Sequence, residues 1–74
     1  MTHHHITDNT VELHVLPLAF DHIGALERVE VRDITTRKRA WLPMHSVSSH
    51  EEMQIEQPIV IHVMTAAAKD RGLI

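Results

Sequence analysis

Apolar and charged residues alternate from Leu26 to Asp33, where Val29 and Val31 fall between Arg28, Glu30 and Arg32. A period of two puts apolar side chains on one face of a strand and charges on the other. A second arm runs from Lys38 to Met44, so residues 26–44 read as a β-hairpin. Its turn, near Thr35-Thr36-Arg37-Lys38, lacks the favoured Asn-Gly or Asp-Gly pair, so a loop of two to four residues is expected. In a two-residue-loop register Thr35 faces Lys38, Asp33 faces Ala40 and Val31 faces Leu42. Val29, Val31, Ala40 and Leu42 then share the core face, and Arg32, Arg39 and Trp41 share the other.

The same pattern marks further elements. Val11, Leu13 and Val15 alternate with Glu12 and His14, giving a half-buried strand that Pro17 ends or bends. Residues 17–25 read as a connection in which Gly24 supplies a turn. Residues 45–52 are polar, and Ser49 followed three positions later by Glu52 fits a capping box. A single helical turn or a plain loop suits this stretch equally. Met53 and Ile55 alternate with Gln54 and Glu56 and read as another short strand. After Pro58, residues 59–64 are apolar apart from His62, as in a strand covered on both faces or meeting another chain. Ile59, Ile61 and Val63 point inward, which leaves Val60, His62 and Met64 as an outer row. Thr65 caps a short helix through Ala66–Arg71, and Gly72 sits where a left-handed cap is usual. Leu73 and Ile74 fold back onto the body.

The expected architecture is mainly β (α+β). It is a small SH3-like or OB-like partly open barrel of about five strands with a short C-terminal helix, since closing a sheet removes exposed edges. Residues 1–10 lack an apolar period and read as a disordered N-terminus, with 11–74 as one small β-rich domain.

Composition narrows the chemistry. A 74-residue chain buries only about 60% of the surface its unfolded form exposes, so one small core must suffice. Trp41 and Phe20 are the aromatic residues, and without cysteine neither disulfides nor thiolate zinc sites can reinforce an aliphatic core. No apolar run approaches the roughly 20 residues that span a bilayer, and no signal peptide is visible, so the expected setting is bacterial cytosol. The formal charge of −3 argues against non-specific nucleic-acid binding as the main task. Eight histidines would carry that charge to +5 if all were protonated, so surface potential should respond to pH between about 5 and 7.

Two stretches give residues 26–74 a resemblance to a group of small proteins common in phages and prophages, largely without assigned function. Those proteins carry a hairpin arm ending Trp-Ile/Leu-Pro, a polar loop, one more strand and a helix closing on Gly-Leu-Ile. Here Trp41-Leu42-Pro43 and Lys69-Asp70-Arg71-Gly72-Leu73-Ile74 match, with Ala66–Ala68 as helix body. The chain departs at Met44 and His45, where the group usually continues Lys-Ser, and at Ala66, where it often has a second Trp. The resemblance implies a fold and a mobile-element origin.

Candidate chemistry is sparse. Ser46, Ser48 and Ser49 lie near His45 and His50, but no Gly-x-Ser-x-Gly elbow and no phosphate loop is present, so no enzyme is expected. His45 and His50 with His62 or His22 match no established zinc spacing. His3–His5 read as part of the N-terminal segment more simply than as metal ligands, and no cofactor or metal is expected. The basic cluster Arg32, Arg37, Lys38 and Arg39 with Trp41 is either a solvated hairpin tip, with Trp41 packed under the terminal helix, or a contact patch. Trp and Arg often dominate binding energy. The expected function is a non-catalytic phage-type protein-binding module that occludes a host protein or complex. An inhibitor of a bacterial defence complex, such as an anti-CRISPR protein, is the concrete example. The alternatives are a small nucleic-acid-binding barrel using the basic hairpin and Trp41, and a self-assembling structural subunit. Val60, His62 and Met64 are the expected homodimer interface.

Overall fold

A computed structural model describes residues 9–74. Five strands build one antiparallel sheet: β1 Thr10–Ile23, β2 Leu26–Asp33, β3 Arg39–Pro43, β4 Val47–Ser48 and β5 Ile59–Met64, in the order β3-β2-β1-β5-β4. One helix, α1 (Thr65–Asp70), closes the chain. The edge strands β3 and β4 are joined by a single 3-10 turn, Met44–Ser46. Three residues reach at most about 15 Å, so the sheet must curl until its two edges approach. Among the described residues no ladder joins those edges. The result is the expected mainly-β, partly open barrel with a terminal helix.

β1 organises this sheet. Its first half, Thr10–Val15, pairs with β5, and its second half, Val15–Ile23, pairs with β2. Pro17 does not end the strand. It lies beyond the last β5 partner, where its missing N–H costs no ladder bond, and a bulge follows between Pro17 and Ala19. Residues 17–23, expected as a connection, are therefore strand. The bulge also reverses the alternation. Leu13, Val15 and Pro17 face the core, whereas beyond it Phe20 pairs with the buried Val29. Gly24 (φ +60) and Ala25 then form a two-residue turn, with glycine at the first position as a type II′ hairpin requires.

The β2–β3 register is Val31↔Ala40 and Val29↔Leu42, two residues from the expected one. Asp33 causes the shift. Its Oδ1 accepts the backbone N–H groups of Thr35 (2.8 Å) and Thr36 (2.9 Å), and its carbonyl accepts Arg37 N–H (2.8 Å). This builds a wider loop with Arg37 at φ 66. An even shift preserves the faces, so Val29, Val31 and Leu42 are fully buried and Ala40 packs beside them.

Other expectations fail. Met53–Glu56 is not a strand: Glu56 adopts φ 62, and its N–H donates to Pro17 O (2.8 Å). The extra strand is Val47–Ser48 instead, placed against β5 by the 3-10 turn. Ser49 caps no helix, and its hydroxyl brackets the backbone of Glu51. At the C-terminus, Thr65 is the first residue of α1 and makes no side-chain cap bond. The helix ends as expected. Gly72 (φ +77) lets Leu73 N–H reach Ala68 O (2.9 Å) and its own N–H reach Lys69 O (3.0 Å), a Schellman motif. Ala68 and Leu73 thereby join Leu13, Val15, Ile59, Ile61 and Val63 in the core. The domain begins earlier than residue 11: Thr10 pairs with Met64, and Asn9 O accepts Thr65 N–H (2.7 Å). The expectations for residues 1–8, including His3–His5, lie outside the described residues.

Candidate binding surface

The residues expected to bind a partner lie on two adjoining surfaces, Arg32, Arg39 and Trp41 on the outward side of the sheet with Arg37 and Lys38 in the turn beside them, and Val60, His62 and Met64 on the outward side of β5. The first is the β2–β3 hairpin. Asp33 N–H donates to Lys38 O (2.8 Å), so the next rung, Arg32↔Arg39, is a non-hydrogen-bonded position. Side chains approach most closely there, and like charges directly opposite are destabilising. Arg37 and Lys38 extend the positive charge into the turn, and all four cations are exposed. The ion pairs among the described residues are Arg28–Asp21 and Arg71–Asp70, and neither involves this cluster.

Trp41 does not lie under α1. It pairs with Glu30 on the outward side, whereas Ala68 of α1 and Leu73 beyond it pack on the opposite, inward side. The guanidinium carbon of Arg28 stands 4.6 Å from the Trp41 ring centroid. Arg28 also donates to Asp21 Oδ2 at 2.6 Å, while Asp21 Oδ1 accepts His22 N–H at 2.7 Å. The Arg28 hydrogen bond, and then the His22 one, hold the Asp21 carboxyl below its ordinary range. Nε of Arg28 is buried without a partner among the described residues. Asp21, Arg28 and Trp41 thus form a stacked brace on three strands, which fixes the indole beside the basic hairpin. Arg28 was not nominated from the sequence; its diagonal relation to Trp41 follows only from the register.

The second surface is the outer row of β5. Val60 and Met64 are 37% and 46% exposed, and His62 between them is half-buried. Their β1 neighbours are His14, Glu12 and Thr10, and Ser48 of β4 also faces His62. The His50 ring stands edge-on to the His62 ring, with centroids 6.3 Å apart. The two surfaces are continuous. Arg32 lies beside Leu16 on β1, and Ile34, 43% exposed, donates its N–H to His14 O, the residue next to Val60.

Ser46 Oγ donates to Pro43 O (2.7 Å) and Ser49 Oγ to Glu51 O (2.6 Å), so both hydroxyls serve the backbone of their own turns. Among the described residues no group of three or more potential ligands could hold a metal ion. A depression of about 370 Å³ lies open under the β1–β2 hairpin between Phe20 and Met44. No helix among the described residues is long and apolar enough to cross a membrane. No protein-family model matches the chain, and no curated protein or solved structure matches it either.

Proposed function

We propose that this protein is a non-catalytic binding module that recognises an acidic surface of a protein partner through the β2–β3 hairpin. One observation supports this most directly. Arg32 and Arg39 oppose each other on one rung, Arg37 and Lys38 adjoin them, and no ion pair among the described residues relieves the four, in a chain of formal charge −3. Such an arrangement costs stability in the free protein and is relieved when carboxylates arrive, ideally bidentate on Arg. Trp41, held by Arg28, adds a rigid aromatic anchor beside the charges. The apolar continuation through Leu16 and Ile34 suits a protein surface better than a phosphate backbone. In the phage-type reading, binding would occlude a surface of a host complex, and inhibition of a bacterial defence complex is the concrete case.

The test is affinity capture from nuclease-treated bacterial lysate, comparing the wild type with Arg32→Glu/Arg39→Glu. A protein recovered by the wild type and lost with the charge reversal supports the reading. Capture unaffected by charge reversal overturns it. So does binding of labelled single-stranded nucleic acid, falling steeply with salt, in the absence of any protein partner; that result favours the nucleic-acid barrel.

A further inference from the structure

We propose that His50 and His62 are half of a metal site, completed by the same two residues of a second copy of the chain around one Zn²⁺ or a similar imidazole-binding cation. The two rings stand edge to face, about 1 Å farther apart than a pair sharing one ion. Two imidazoles bound to one tetrahedral zinc at about 2.0–2.1 Å have ring centroids about 5 Å apart. The observed 6.3 Å closes by rotation of His50, which is exposed in the bend after β4. That bend is itself held, because Ser49 Oγ bonds both N–H and C=O of Glu51. His62 projects from a strand whose alternate residues Ile61 and Val63 are fully buried, so its backbone is well fixed.

Within one chain the site stops at two imidazoles, since no third ligand group completes it among the described residues. Two ligands leave a tetrahedral ion half coordinated, and a two-fold axis through the metal supplies the missing pair. A second, independent feature points to the same axis. Val60 and Met64 flank His62 on the outer row and are exposed, so the dyad that joins the histidines also brings these apolar side chains against their counterparts. Glu12, across from His62, puts negative charge beside the cation. The inferred contact lies on the β5 side of the barrel and leaves Arg37, Lys38 and Trp41 free, so it does not depend on the hairpin's role.

The experiment is multi-angle light scattering with Zn²⁺ titration and metal analysis, at micromolar protein and near-neutral pH. It uses the full chain, His50→Ala, His62→Ala and the triple change His3→Ala/His4→Ala/His5→Ala, the last because the N-terminal histidines can themselves take up metal. The expected result is a doubling of mass in the wild type and the triple variant, one Zn²⁺ per two chains, and reversal by chelator. His50→Ala and His62→Ala should stay monomeric with unchanged circular dichroism; the exposed His50 position keeps the test valid if His62→Ala folds poorly. Three results would overturn the proposal: a monomer mass at saturating Zn²⁺, a dimer that survives His50→Ala, or a dimer lost with the triple change. Uptake of Zn²⁺ without any change in mass identifies an adventitious ion only, and equally sinks it.

Discussion

Exchanging Val31 for Asp tests which face of the central hairpin meets the core, because its neighbour Arg32 lies on the other face. Val31 is fully buried between Pro17 and Ala40. Val31→Asp forfeits about 2 kcal/mol of apolar burial. The new carboxyl must also take up a proton about three pH units above its ordinary pKa, which costs about 4 kcal/mol at pH 7. Its unsatisfied polar atoms add about 1–3 kcal/mol. The total, about 7–9 kcal/mol, consumes most or all of the about 4–11 kcal/mol expected for 74 residues. The variant should therefore be largely unfolded at pH 7. The sign with pH is also determined. The buried carboxyl has a raised pKa, so its penalty grows as pH rises above about 4 and shrinks below it, and the variant should regain structure on acidification. Arg32→Asp should change stability by no more than about 0.5 kcal/mol, because it also removes the Arg32–Arg39 repulsion. Urea unfolding followed by far-UV circular dichroism and by the lone Trp41 fluorescence reads both variants. A wild-type midpoint for Val31→Asp, or unfolding by Arg32→Asp, would refute the assigned faces.

Three further outcomes are expected. Leu73→Ala should cost about 2–4 kcal/mol in urea unfolding, since Leu73 is 2% exposed and anchors α1 to the core. Asp33→Ala should lower stability by about 1–2 kcal/mol by thermal melting, because Thr35 and Thr36 N–H lose their acceptor in the hairpin loop. Asp21 has a lowered folded pKa, chiefly from its Arg28 hydrogen bond. Its contribution is therefore full above the ordinary carboxylate pKa and is lost as pH falls through the lowered folded value. Asp21→Asn should remove that part of the acid sensitivity, measured as melting temperature between neutral pH and pH 3.

The basic hairpin and the β5 outer row differ in how far they could be read from one chain. Their residue types and faces follow from alternation alone, since Arg32, Arg39 and Trp41 do share the outward side and so do Val60, His62 and Met64. What alternation cannot supply is which residues oppose which. The Arg32↔Arg39 rung, the Arg28–Trp41 stack and the His50–His62 contact each join segments whose offset depends on a loop. The Asp33 loop set one of these by forming side-chain bonds to its own turn, and the 3-10 turn after Pro43 set another by carrying the chain across to the opposite edge.

By itself the sequence determined the mainly-β class, the inward faces of β2, β3 and β5, and the terminal helix with its Gly72 cap. These features rest on local physics: a period of two for half-buried strands, high propensity of alanine in helices, and glycine's tolerance of positive φ. The length of β1 was decided only by tertiary structure. Pro17 is tolerated where β5 has run out of partners, and the bulge behind it reverses the pattern that the alternation began. The choice of β4 was likewise non-local. Val47 and Ser48 carry no alternating signature long enough to read, yet the short turn from β3 delivers them to the free edge of β5. Met53 and Ile55 have the alternation but join no ladder, and a single backbone bond from Glu56 to Pro17 holds their segment as a loop instead. A strand is completed by the partner that satisfies its backbone groups, and that partner is supplied by the whole chain's path rather than by the segment itself.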